Sequence, residues 1–216
     1  MKSTATLPQF TIFWRETAEL GRALVSGMTE EEAEQAVRNG RPMVVLIYDA
    51  DEPDARRDLE EGAFKDEEVA IAARFFDCLR MSADTAAEDR VAKETGTRAP
   101  RLIFLRPNFE VVKVLQGKVS ARQVVDAMGR TLKADYENSL AAAAKAQKEL
   151  FKERTALEME REKLQRLEER MGKEPTAARR APLVKERDAL QEQIAKLEAA
   201  LDEREQALYL LKPKLA

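Results

Sequence analysis

One sulfur nucleophile is available to this chain. Cys78 is the single cysteine, and the sequence has no histidine. Together these remove the usual zinc ligand sets, any Cys–His or Ser–His nucleophilic pair, and an internal disulfide. Cys78 lies in Phe75-Phe76-Asp77-Cys78-Leu79, an apolar run that reads as a strand over Phe75 to Met81. A buried cysteine behaves as a small hydrophobe, and apolar surroundings raise its pKa. The expected role is structural, with redox or peroxide sensing through this one thiol as the enzymatic alternative. The second candidate chemistry is the carboxylate pair Asp49 and Asp51, alternating on a loop after an apolar strand. Two such acids can bind a cation or share a proton. The plainer expectation is a solvated loop whose acids cap the next helix. No catalytic residue, metal or cofactor is expected.

Composition narrows the partners. Lys and Arg number 37 against 40 Asp and Glu, for a net charge of −3, although 36% of residues are charged. Phosphate binding needs a surplus of cations, so nucleic acid is not an expected partner. No stretch has the length and apolarity of a membrane span. The opening residues hold no apolar run long enough for a signal peptide. A cytoplasmic, membrane-free protein is the expectation.

The elements that position these residues are read from patterning. Phe10, Ile12, Phe13 and Trp14 form an apolar cluster, and residues 1–28 read as an extension that packs on the domain after it, with Trp14 as a docking residue. Thr29 to Asn39 is a predicted helix, with a Thr29/Glu32 capping box and Gly40 as its cap. Met43-Val44-Val45-Leu46-Ile47-Tyr48 is a continuous apolar run of the kind buried on both faces of a sheet. Pro53 suits the first turn of a helix after the 49–52 loop. Asp66 opens another helix, and Thr85 to Thr95 is predicted to be a fourth. Gly96 ends it. Arg101-Leu102-Ile103-Phe104-Leu105 and Val111-Val112-Lys113-Val114-Leu115 are adjacent strands, Gly117 closes the second, and a helix opens at Ser120. Strands alternating with helices make the fold class α/β.

Residues 29–139 resemble a thioredoxin-like domain of the bacterial thioredoxin-like group. Asn39-Gly40-Arg41-Pro42 before an apolar strand, Gly62-Ala63-Phe64-Lys65-Asp66-Glu67-Glu68-Val69-Ala70 at a helix junction, and Gly96 through Leu105 carry the likeness. The resemblance implies that Pro100 is the cis-proline beside the active-site loop. It also implies that Ala99 before it can offer its backbone to an extended peptide, by main-chain pairing that needs no sulfur. The redox members place a Cys-x-x-Cys pair where the first strand meets its helix. Here that region carries Glu52, Pro53, Asp54, Ala55 and Arg56. The resemblance therefore implies a degenerate active-site loop and a redox-inactive member. A second likeness is to the UAS domain of ubiquitin-pathway adaptors, which implies binding of long-chain fatty acids and proteins.

Residues 140–216 read as a helical coiled-coil hairpin. From Ser120 to about Met171 the helical pattern shows no break. Leu150, Leu157, Leu164 and Met171 recur at seven-residue spacing, with Glu153 and Glu160 interrupting the second seam. Gly172 and Pro175 break the helix, and Pro182 starts the next. There Leu183, Leu190, Leu197 and Leu211 form one seam, interrupted by Arg204. Ile194, Leu201 and Leu208 form the other. An antiparallel hairpin or a homo-oligomeric coiled coil satisfies these seams. Arg179 and Arg180 at the turn read as a solvated tip, with a contact point for an acidic partner as the alternative. The expected function is a protein-interaction or scaffold module that works through this hairpin and the Ala99–Pro100 groove.

Overall fold

A computed structural model describes residues 12–16 and 40–214. The predicted helix at Thr29 to Asn39 and most of the 1–28 extension lie outside the described residues. The chain divides into two compact units. One runs to Ala144 and takes in the chain again from Leu211; the other is Lys145–Leu210.

The first unit is α/β. Its five strands are β1 (Arg15–Glu16), β2 (Met43–Tyr48), β3 (Asp77–Ser82), β4 (Arg101–Leu105) and β5 (Val111–Gln116), in the sheet order β1-β3-β2-β4-β5. β3 is parallel to both β1 and β2, while β4 is antiparallel to β2 and β5. The helices are α1 (Pro53–Glu61), α2 (Glu67–Ala73), α3 (Ala83–Glu88) and α4 (Ala121–Asp135). β2 and, after Arg101, β4 are apolar because both their faces are covered. Met43, Val45, Ile47, Ile103 and Leu105 face Met81, Ala86 and Ala92 in one core. Val44, Leu46, Leu102 and Phe104 alternate to the opposite face, where α2 and α4 pack. Trp14 packs against Phe64 with ring centroids 5.0 Å apart and planes tilted by 44°.

Three local expectations are corrected. The helix predicted over Thr85 to Thr95 is two pieces, α3 and a 3-10 turn at Ala92–Thr95. Asp89 divides them: it is buried and extended, and its carboxylate accepts from Val91 N at 2.9 Å and Ala92 N at 2.8 Å. Its side chain thus replaces the helical acceptors and starts a new turn. The strand predicted from Phe75 begins two residues later. Phe75 and Phe76 are buried in a turn, and Asp77 N donates to Pro42 O to open β3.

The third correction is at Tyr136. The uninterrupted helix predicted from Ser120 is instead α4 and, after a gap, α5 (Leu140–Lys173). Tyr136 is extended, at φ −127° and ψ 152°, and pairs antiparallel with Pro213. Glu137 N donates to Lys212 O and Lys214 N donates to Asp135 O, both at 2.9 Å. Tyr136 is 1% exposed and its hydroxyl donates to Gly40 O. These long-range partners outweigh continued helix, which propensity alone supports only weakly. Ser139 Oγ then accepts from Ala142 N at 3.4 Å to help start α5.

The second unit is a pair of helices, α5 from Lys145 onward and the whole of α6 (Ala177–Leu208). They pack antiparallel within one chain. Leu150, Leu157, Ile194 and Leu201 form the buried core, flanked by Leu164, Leu190 and Leu208. The seam through Leu197 is corrected: Leu197 is 39% exposed, and Leu211 belongs to the other unit. Glu153 and Arg204, read as interruptions, are ion-paired to each other across the two helices. Arg154 pairs with Glu205, and Arg161 with Glu198 at 2.7 Å. α6 begins at Ala177, so Pro182 lies inside it and does not start it. The Ala- and Arg-rich first turns favour helix directly after Pro175. The missing Pro182 N–H costs one helical bond. Among the described residues no helix is long and apolar enough to cross a membrane.

The β4–β5 turn is tied to the end of α4 by a forked ion pair. Arg106 Nε reaches both Asp135 oxygens, at 3.1 and 3.0 Å. The Asp135 side chain is 3% exposed, and its hydrogen bond raises the pKa of Arg106 further above the usual arginine range. Removing one partner of a buried pair leaves a charge with no compensation. Arg106→Ala should therefore lower the stability of the full chain by about 3 kcal/mol in urea unfolding. A loss under about 1 kcal/mol, the range of an exposed pair, would show that the fork carries no structural weight.

Candidate functional site

The candidate site is the end of the sheet where β2 leaves and β4 enters. Ile47 pairs with Arg101, so the chain after Tyr48 and the chain before Arg101 meet at this end. The Ala99–Pro100 bond is cis, as the family resemblance implies. Both residues are half-buried. Gly96, at φ +108°, supplies the left-handed turn that a side chain would resist before this segment.

Arg101 holds the approach to the cis bond. It is 2% exposed, at the start of a central strand. Nε donates to Thr95 Oγ1 at 3.1 Å, Nη1 to Arg98 O at 3.0 Å and Nη2 to Ala92 O at 3.3 Å. Burial lowers its pKa. The sequence pattern carried no sign of this, because an arginine beginning a strand reads as an exposed edge residue.

On the other side of the site, Asp49 Oδ1 accepts from Asp51 N at 2.9 Å, closing a tight turn. Glu52 occupies the N-cap of α1 but makes no side-chain cap. The expected capping by loop acids is corrected: Asp49 caps its own loop instead. Glu52 and Asp54 are exposed, and Arg56 is half-buried. Pro53 and Ala55 lie in the first turns of α1. Among the described residues no three ligating side chains gather to hold a metal ion.

A cluster not foreseen from sequence stands beside this loop. Arg80, in β3, lies 2.7 Å from Glu16 and 4.0 Å from Glu60. Its buried Nε has no hydrogen-bonding geometry, so the close approach to Glu16 is an ion pair only. Arg56 Nε donates to Glu60 at 3.0 Å, and its guanidinium carbon sits 5.2 Å from the Tyr48 ring centre. Tyr48 OH donates to Glu16 at 3.4 Å. Two guanidinium groups and two carboxylates thus neutralise one another over β1, β2, β3 and α1. The available signal was a charged residue, Arg80, between the apolar Leu79 and Met81 of β3.

Cys78 is not part of this site. It pairs with Val44 near the start of β3, while the loop comes after Tyr48, paired with Ser82 at the other end. At 3.3 Å per residue that is about 13 Å along the strand. The thiol is 6% exposed, and Sγ lies 3.8 Å from Ala73 O. Burial first, and Asp77 second, push its pKa up to about 12 against the pull of Arg41 and Arg15. It lines a shallow cavity of about 170 Å³ with Ile12, Phe13, Arg41, Ala73 and Phe76. In the second unit, Arg179 and Arg180 are exposed near the turn, and both contact Glu174. The chain matches no protein-family model and no curated protein.

The pKa of Cys78 sets a pH dependence. The folded thiol ionises near 12 and an unfolded one near 9.0, so above pH 9 the unfolded chain binds fewer protons. Stability therefore falls with rising pH, by about 1.4 kcal/mol per unit between those values. Tyr136, pushed up to about 12 from 10.0 chiefly by burial, adds a fall in the same direction above pH 10. Cys78→Ala should flatten the urea midpoint between pH 9 and 10, and native iodoacetamide labelling at pH 8 should be negligible. Rapid native labelling would place the thiol at the surface.

Proposed function

We propose that this chain is a redox-silent, thioredoxin-like interaction or scaffold protein whose helical hairpin serves partner binding. The sheet order, the two parallel and two antiparallel pairings, and a cis-proline entering β4 support the thioredoxin-like reading of the first unit. One observation carries the redox-silent half. The loop facing the cis-proline holds no sulfur, and the one thiol is buried toward the other end of its strand with a pKa of about 12. At neutral pH its thiolate fraction is on the order of 10⁻⁵, too small for disulfide exchange.

The scaffold half draws on the hairpin. Its core is a narrow row of leucines and Ile194, while Phe151, Met159 and Leu197 remain exposed at 39%, 58% and 39%. The half-buried Ala99–Pro100 segment is the second candidate contact, through main-chain pairing with an extended peptide. A cytoplasmic setting fits a protein with one buried thiol and no disulfide.

Two measurements test the reading. With dithiothreitol the protein should reduce insulin no faster than buffer alone, and Cys78→Ser should change nothing. Turnover lost in that variant would end the redox-silent reading. In a pull-down, the full chain should retain partners that are lost when Lys145–Leu210 is replaced by a short glycine–serine linker, with residues from Leu211 kept because they pair with Asp135 and Glu137. Equal capture by both chains would remove the hairpin from partner binding.

A further inference from the structure

The charges of the first unit are segregated. Residues 49–61 carry seven carboxylates against two guanidinium groups, while residues 113–133 carry five cations against Asp126. The basic side has a shaped surface. Lys113 and Leu115 of β5 and Asp126, Ala127 and Arg130 of α4 line a groove of about 220 Å³, open along the sheet edge. Lys113, Arg122 and Arg130 are exposed and enter no ion pair among the described residues. The helix carries them in a fixed order: Arg122, Asp126 and Arg130 recur every four residues, so they share one face.

The acidic side shows the complementary order. On α1, Asp54, Arg57 and Glu61 fall at i, i+3 and i+7, one exposed stripe that runs acid–base–acid, with Asp58 beside it. Asp58 and Glu61 form no ion pair among the described residues, and Asp54 has only a distant contact with Arg57, at 3.8 Å between side chains 94% and 68% exposed. From Asp54 to Glu61 is about 10 Å of helix, and from Arg122 to Arg130 about 12 Å. Acid–base–acid on α1 thus matches base–acid–base on α4 in sign and spacing. Both stripes are exposed on the same chain, and their charges are complementary.

We infer that the β5–α4 groove is a docking site for α1 of a second copy of this chain. Asp54 and Glu61 sit opposite the two arginines, Arg57 opposite Asp126, and Asp58 reaches Lys113. Such an interface joins two different patches, so it repeats from copy to copy and does not close as a twofold pair. The inference rests on the scaffold reading and gives it a partner, a second copy.

The test uses the full-length protein and two charge reversals, Arg122→Glu/Arg130→Glu on the α4 face at the groove and Asp54→Arg/Glu61→Arg on the stripe. All four positions are exposed, and far-UV circular dichroism should match the wild type. By light scattering and sedimentation at 25 mM salt, the wild type should associate with rising concentration, and at 300 mM salt at least tenfold more weakly. Each variant alone should be monomeric, because like charges then face each other. Their equimolar mixture should associate again. A wild type that stays monomeric at low salt, or a mixture that stays monomeric, overturns the assignment. Association that survives both reversals and high salt belongs to apolar surface elsewhere; it overturns the groove and leaves the scaffold reading standing.

Discussion

The candidate site depends on one buried cation. Arg101 keeps its charge in any protein environment, because a guanidinium does not give up its proton at accessible pH. Placed inside the sheet, it must find oxygen acceptors or forfeit its hydration. It finds them in the segment that precedes it, at Ala92, Thr95 and Arg98. That segment has little regular structure, only a 3-10 turn and Gly96. Its path is therefore set by the guanidinium it surrounds. Gln116 adds a tie from β5, donating from Nε2 to Thr95 O at 3.1 Å. The cis bond lies within the same segment, so a polar constraint inside the core determines how Ala99 and Pro100 are displayed.

The opposite wall of the site is held differently. There the constraint is mutual neutralisation among Glu16, Arg56, Glu60 and Arg80, half-exposed and open to screening. One wall of the sheet end is thus fixed by hydrogen bonds inside the core and the other by ion pairs open to solvent.

Much of this architecture was legible in the sequence because burial writes itself into long apolar runs. Met43 to Tyr48 and Leu102 to Leu105 could hardly be anything but covered strands, and the helix read as opening at Ser120 does open there. What stayed hidden was decided by partners far away in the chain. Tyr136 reads as one more helical residue until Pro213 is beside it. Asp89 reads as a solvated acid until its burial turns it into a local acceptor. Glu153 and Arg204 each look like a flaw in a seam, and only the register of the two helices shows that each answers the other. The site was legible at Pro100, whose context is local. It was not legible at Arg80 or Arg101, where a charge is tolerated only because of what surrounds it.

The strip that joins Asp135, Tyr136 and Glu137 to Lys212, Pro213 and Lys214 has a consequence in time. During synthesis the chain emerges in order, and α4 is complete long before Lys212 exists. The first unit must therefore wait, with the edge at Tyr136 unpaired, while both long helices are made. Closing so long a loop adds little equilibrium cost, since that cost grows only with the logarithm of length. It does impose a sequence of events, because contacts of high sequence separation form late. The segment from Lys212 to Lys214 can therefore pair with Asp135 to Glu137 only after both long helices have been made.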